Sequence, residues 1–126
     1  MVGAMIEVPA AVELAAHIAR EVDFMAQLSD PYPPAILRMI ARVAAAARGA
    51  GRAVGVCGEI AVRPDLALAL IAPGVDSLSV VPTAIPELKQ ALTGARLEPM
   101  RCAMEGILAL SDARSVAGAL REARSA

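Results

Sequence analysis

Short apolar runs alternate along this chain with longer stretches in which apolar residues recur at helical spacing. Val2 to Val8 is the first run, too hydrophobic for a half-exposed strand and suited to a buried parallel one. Pro9 follows and fits the first turn of a helix, where a missing N–H costs nothing. From Ala10 to Arg20 the spacing predicts a helix with Ala11, Leu14, Ala15 and Ile18 inward and Glu13, His17 and Arg20 opposite. Val22 to Ala26 reads as the second strand, and the cluster Ser29-Asp30-Pro31-Tyr32-Pro33-Pro34 reads as a loop. A helix from Ala35 to Arg48 then turns Ile36, Met39, Ile40, Val43 and Ala47 inward and Arg38 and Arg42 to water. Gly49 and Gly51 stop it.

The alternation continues to the C-terminus. Ala53 to Cys57 is strand three, followed by a helix from Pro64 to Ile71 that closes at Pro73-Gly74. Ser77 to Val81 is strand four, with a helix from Ile85 to Leu92 behind it. Met100, Ala103, Met104, Ile107 and Leu108 form one apolar helical face. Ser111 is expected to cap a last helix carrying Val116 and Leu120, with Asp112 in its first turn. Strands alternating with helices imply a parallel sheet with right-handed crossovers. The expected fold is therefore α/β: a (βα)4 half of a TIM barrel with extra C-terminal helices, as one domain over 1–126. A half-barrel leaves its concave face and both sheet edges in water, although these strands are apolar. The expected remedy is a homodimer or higher homo-oligomer in which two halves cover each other.

Composition sharpens the picture of the core. Of 126 residues 57% are apolar, and 29 alanines stand against one Phe, one Tyr and no Trp, so small aliphatic groups must pack closely. A mean hydropathy of +0.58 with a net charge of −1 excludes disorder, whose signature is the reverse. Twelve cations balance thirteen anions, and Lys89 is the only lysine. Without a basic stripe or aromatic platform, nucleic-acid binding is not expected. Cys57 and Cys102 lie far apart and are expected to be reduced, buried thiols rather than a disulfide. The N-terminus lacks a secretory pattern, and every apolar run falls well short of the ~20 residues that cross a bilayer, so a cytoplasmic chain with no membrane contact is expected.

Chemistry in parallel α/β folds sits at the C-terminal ends of the strands. Glu7 ends strand one and Cys57-Gly58-Glu59 ends strand three, whereas Asp23 opens strand two at the wrong end for a site. The runs in question are Gly3-Ala4-Met5-Ile6-Glu7-Val8-Pro9-Ala10-Ala11, Glu21-Val22-Asp23-Phe24 and Asp30-Pro31-Tyr32-Pro33-Pro34-Ala35-Ile36-Leu37-Arg38. Gly51 to Glu59, Ser77 to Pro82 and an Asp-Ala-Arg helix near the C-terminus complete them. In order and approximate spacing they closely resemble the C-terminal barrel of the phosphoenolpyruvate-utilising enzymes, above all enzyme I of the sugar phosphotransferase system. The resemblance implies that this chain corresponds to strands five to eight of that barrel. It implies that Glu7 is a magnesium ligand and that Cys57 delivers a proton in the chemistry of the enolate and pyruvate. Glu59, the candidate substrate-binding residue, is expected to make a supporting or structural contact there. Carboxylate and phosphate oxygens suit a hard cation, and a thiol over the methylene carbon suits acid–base work.

The departures carry equal weight. The family's second strand is followed by a Gly-Thr-Asn-Asp-Leu loop that supplies a second magnesium ligand, a phosphate contact and then a substrate arginine. Here Phe24-Met25-Ala26-Gln27-Leu28-Ser29 runs straight into Asp30-Pro31, and Asp30 belongs to the turn after that loop, not to the metal. The barrel's first four strands and the domain with the phosphorylated histidine lie outside the resemblance. His17 sits on a helix flank as a solvated partner for Glu13, Cys102 is expected to be inert, and Met100 and Met104 to be filler. One carboxylate holds magnesium poorly, so Mg2+ is expected to bind weakly. The expected function is a phosphoenolpyruvate-binding type of domain, taking phosphoenolpyruvate or pyruvate without autonomous phosphoryl transfer. The alternative is a self-associating or partner-docking half-barrel with no small-molecule activity. A composite pocket, with Glu7 and Cys57 contributed by two copies, is a third reading.

Overall fold

The computed structural model describes residues 2–22, 24–28 and 34–126, with 24–28 as backbone. The elements are β1 (Gly3–Ile6), α1 (Pro9–Glu13), α2 (Ala15–Glu21), β2 (Phe24–Leu28), α3 (Pro34–Gly49) and β3 (Ala53–Cys57). After these come α4 (Pro64–Ile71), β4 (Ser77–Ser79), α5 (Ile85–Thr93), α6 (Leu97–Ala109) and α7 (Ala113–Ser125). The strands form one parallel sheet in the order β1-β2-β3-β4, with Ile6, Gln27, Val56 and Leu78 at one level across it. This is the expected (βα)4 arrangement, half the strand number of a closed barrel, finished by α6 and α7.

Side chains alternate between the faces of a strand, and here the two faces differ sharply. Ile6, Val54 and Val56 are buried among the helices, while Gly3, Met5, Ala53, Ser77 and Ser79 are exposed. The expectation of a fully buried first strand is corrected: Val2, Met5 and Val8 are all more than half exposed. Helices cover one face of the sheet only, so a strand that is apolar throughout still has a wet side. The core lies between that covered face and the helices. Helix α4 is its centre, with Leu66 to Leu70 all buried and with α6 and α7 packed against it.

Several local expectations shift by a residue or two. The first helix breaks at Leu14 (φ −94°, ψ 5°), which changes the phase of the buried stripe to Val12, Ala15 and Ala19 and leaves Leu14 59% exposed. Strand β2 begins at Phe24, because Val22 is used as the extended, buried residue that closes α2. In α3 the buried residues are Pro34, Leu37, Ile40, Val43, Ala44 and Ala47, with Ile36 and Met39 at the margin. The cap of α7 is Asp112, not Ser111: its carboxylate accepts the Ser115 N–H at 2.9 Å. Hydrogen bonding from the Ser115 side chain, and then from its N–H, holds the Asp112 carboxyl below its usual range. Met100, Met104, Ile107, Val116 and Leu120 are buried as expected.

Two glycines terminate helices in the left-handed region. Gly51 (φ 67°) follows α3, where the Arg52 N–H donates to Ala47 and the Gly51 N–H to Arg48. Gly74 (φ 108°) repeats the arrangement after α4, with the Val75 N–H on Leu70 and the Gly74 N–H on Ile71. The arginines expected on a solvated face act as ties. Arg38 donates to the carbonyls of Leu108 and Leu110 at 3.0 and 3.1 Å, anchoring the end of α6 to α3. Arg42 grips both carboxylate oxygens of Glu13 at 2.5 and 2.6 Å, so Glu13 is committed to α3 rather than to His17. That hydrogen bond holds the Glu13 carboxyl below the ordinary glutamate range. Neither cysteine is in a disulfide, and neither is fully buried: Cys57 is half-buried and Cys102 exposed. Asp23 and the loop residues Ser29 to Pro33 lie outside the described residues. Among the described residues, no helix is long and apolar enough to cross a membrane.

Candidate functional site

The site is built by the segment that leaves β3. Val54 and Val56 face the helices, so Cys57, one position on, stands at the strand's C-terminal end on the opposite side. At its start β3 is clamped to the segment before β4. The Val54 N–H donates to the Asp76 carboxylate, and the Asp76 N–H donates to the Val54 carbonyl, each at 2.8 Å. Gly58 then turns the chain at φ 113° and ψ −178°, a conformation essentially restricted to glycine. A single 3-10 turn, Glu59–Ala61, follows, its Ile60 and Ala61 buried while Glu59 stays exposed. Pro64 opens α4 and fixes Arg63 before it in an extended conformation (φ −81°, ψ 127°).

This geometry opens a pocket of about 720 Å³ between the C-terminal ends of β3 and β4, lined by Cys57, Gly58, Glu59, Arg63, Ser79 and Val81 among others. The parallel register puts Ser79 level with Cys57. Behind the pocket, Asp65 in the first turn of α4 is buried and lies 3.5 Å from the Arg63 guanidinium. The structure thus gathers Cys57 and Glu59 into one pocket. Glu7 follows β1 directly, is exposed, and does not line that pocket. With β2 between β1 and β3, its backbone stands two inter-strand spacings, about 10 Å, from that of Cys57.

Magnesium requires near-octahedral oxygen coordination. Among the described residues no group of three His, Cys, Asp or Glu side chains could hold a metal ion, and Glu7 alone does not make such a site. The donor set among the described residues therefore does not by itself make a magnesium centre.

Arg63, Asp65 and Ser79 were not singled out by sequence reasoning. The available signal was local: an arginine locked in front of a proline, and a carboxylate two residues later in a helix that is otherwise apolar. A second cleft of about 800 Å³ opens at the other end of the sheet, lined by Arg48, Arg52, Arg101, Asp76 and Glu98 among others. Several of its charges already have partners within the protein. Arg48 donates to the Pro73 carbonyl, Arg52 Nε to Ala19 at 3.3 Å, and Arg101 lies 3.8 Å from Glu98.

Comparison with known proteins agrees with the resemblance seen in the motifs. Residues 25–97 match the family of the PEP-utilising enzyme, PEP-binding domain. The chain is 33% identical to the phosphoenolpyruvate-protein phosphotransferase of Cupriavidus necator, over 96% of this chain and 24% of that protein. Identity is 35% to the enzyme of the same name from Geobacillus stearothermophilus, over 91% of this chain and 24% of that one. The multiphosphoryl transfer protein of Xanthomonas campestris is equally similar, over 91% and 16%. The chain spans about a quarter or less of these relatives' lengths. The Cupriavidus match extends over 142 positions but uses 96% of 126 residues, about 121, so some twenty-one positions have no counterpart here. The Geobacillus match leaves the same shortfall, 136 positions against about 115 residues, which is the scale of a deleted loop. By family match and by identity alike, this chain belongs to the PEP-utilising enzymes, in their PEP-binding domain.

Proposed function

We propose that this chain binds phosphoenolpyruvate or pyruvate in the pocket at the ends of β3 and β4, without phosphoryl transfer of its own. The observation that supports this reading is the convergence of Cys57, Glu59, Arg63 and Ser79 on one pocket at the catalytic end of the sheet. A thiol there can hold or deliver a proton at the methylene carbon of an enolate. A guanidinium can meet a carboxylate or phosphate through two parallel N–H donors. The reading takes no step through magnesium, and the ion enters as a variable of the test.

Thermal unfolding of the full chain, with phosphoenolpyruvate and oxalate titrated with and without magnesium, tests it. A ligand that binds only the native state, at a hundredfold excess over its dissociation constant, adds about 2.7 kcal/mol of stability. A clear rise in the midpoint supports the reading, and a magnesium-dependent part lost in Glu7→Gln would assign that carboxylate to the ion. A flat response to both ligands overturns the reading.

A second reading is self-association. Exposed Val2, Met5 and Val8 lie in or beside β1, and exposed Val81 lies just beyond β4. These are the two edge strands of the sheet. Apolar edges on a half-barrel suit a second copy, with β1 of each chain beside β4 of the other and the two wet faces turned inward. Sedimentation velocity should then give a dimer that Met5→Asp converts to monomer. A wild-type chain that sediments as a monomer at high concentration contradicts this.

A further inference from the structure

We propose that the groove between β4 and α5 is the seat for β1 of a second copy, in a register that sets Val2 of one chain beside Leu78 of the other. The inference rests on the self-association reading above. It goes further in naming the groove, the segment that fills it and the residues that meet.

The groove follows from the topology. Right-handed crossovers place each helix over the gap between its own strand and the next. Helix α5 continues that pattern beyond β4, the last strand of the sheet, and packs against α4. Beneath it opens a groove of about 670 Å³, walled by Leu78 and Val80 from β4 and by Ile85, Leu88 and Leu92 from α5, together with Lys89. Ile85 is 39% exposed there, although Leu88, one turn on, is buried. The shape is that of a helix waiting for a strand beneath its outer half.

Strand β1 is the counterpart. Val2 and Val8 share the face of the buried Ile6, yet are 62% and 56% exposed. Both strands are edges, and an edge can extend a parallel ladder. The surface area agrees in scale. The chain exposes 6990 Å², whereas a monomer of 12.9 kDa is expected to expose about 6,300 Å². The excess of about 700 Å² approaches the roughly 800 Å² that each partner gives to a standard interface.

Barrel geometry then sets the register. Eight parallel strands close with a shear of roughly eight residues, which two identical joins share as roughly four each. An even shift keeps every side chain on its own face. The right-handed coil of the strands directs the shift toward the N-terminus of the incoming β1. Within one chain Ile6 is level with Leu78, so Val2 of the second copy arrives beside Leu78. There it lies on the helical side, under α5. Met5 of the second copy falls beside Val81 on the inner side, and these two are 52% and 60% exposed in the single chain. One register thus covers Val2, Met5, Val81 and Ile85 together.

Disulfide trapping reads that register. In a Cys57→Ser, Cys102→Ser background, the pair Val2→Cys with Leu78→Cys is treated with oxidised glutathione. The two protein thiols give up two protons and two electrons, and the glutathione disulfide takes them as two thiols. Within one chain these positions stand at opposite edges of the sheet, three inter-strand spacings or about 14 Å apart, beyond the reach of a disulfide. A bond between them therefore joins two copies. Covalent dimer is expected at about ten times the yield given by Val8→Cys with Leu78→Cys, a pair whose register is wrong. Ile85→Glu in the otherwise natural chain reads the groove without touching a buried residue. It should weaken the dimer about tenfold or more in sedimentation velocity.

A wild-type dimer that shows both effects supports the inference. A wild-type dimer whose Val2→Cys, Leu78→Cys pair cross-links no better than the control, or whose Ile85→Glu variant associates as tightly as the wild type, overturns it and leaves self-association standing. A wild type that stays monomeric overturns both.

Discussion

The two faces of the sheet are made from the same strands yet live under different rules. On the helical side Ile6, Val54 and Val56 are buried in the hydrophobic core, and among the described residues Asp65 is the one buried charged side chain. On the other side Met5 is 52% exposed, Ser77 and Ser79 meet water, and thiol, carboxylate and guanidinium collect at the strand ends. Stability belongs to the first face, and the proposed binding pocket opens on the second. The division follows from having four strands: α-helical crossovers cover one face, and the other would be covered only by the remaining strands of a barrel.

Mutations that break this comparison should differ most in the core. Leu70→Ala, at a fully buried position in α4, is expected to cost about 2–5 kcal/mol in urea unfolding. Met5→Ala on the open face should stay within about 0.5 kcal/mol in a monomeric sample. Equal costs would mean that the open face is packed in solution. Next in size is Gly74→Ala. Its φ of 108° strains any residue with a Cβ, and the flexible Arg48 guanidinium lying over it would have to shift, so a loss of about 1–2 kcal/mol is expected.

The smallest effects should be electrostatic and confined to acid. Arg42 lowers the Glu13 carboxyl in the folded state, so the stabilisation is complete above the ordinary glutamate range and is lost as pH falls through the lower, folded value. Glu13→Gln should flatten the fall in thermal midpoint on the acid side and leave neutral pH little changed, since the pair is solvent-exposed. Asp112 follows the same sign through its hydrogen bonds from the Ser115 side chain and N–H, and Asp112→Ala should fray α7 first. An acid limb unaltered in both variants would remove these groups from the account.

Legibility in the sequence tracks how local the controlling physics is. The spans Ala53–Cys57 and Pro64–Ile71 were readable because the valines sit beside hard punctuation, Gly58 on one side and Pro64 and Gly74 on the other. The break at Leu14 carries no Gly or Pro to announce it, so the stripe was expected one residue out of phase. Ser111 and Asp112 are both good caps; only the reach of Asp112 to the Ser115 N–H decides between them. At the site, Cys57 and Glu59 could be read from their motif. Arg63 could not, because its meaning depends on the burial of Asp65, and Ser79 depends on strand register.

The central claim is that the usable site lies at the ends of β3 and β4, and an amide NMR titration of the full chain with phosphoenolpyruvate and magnesium tests it most directly. The account predicts shifts concentrated in residues 57–63 and 79–81, with the amides around Arg48, Gly51 and Arg101 at the opposite end unmoved. Shifts confined to that opposite end, or a spectrum indifferent to ligand, would contradict it.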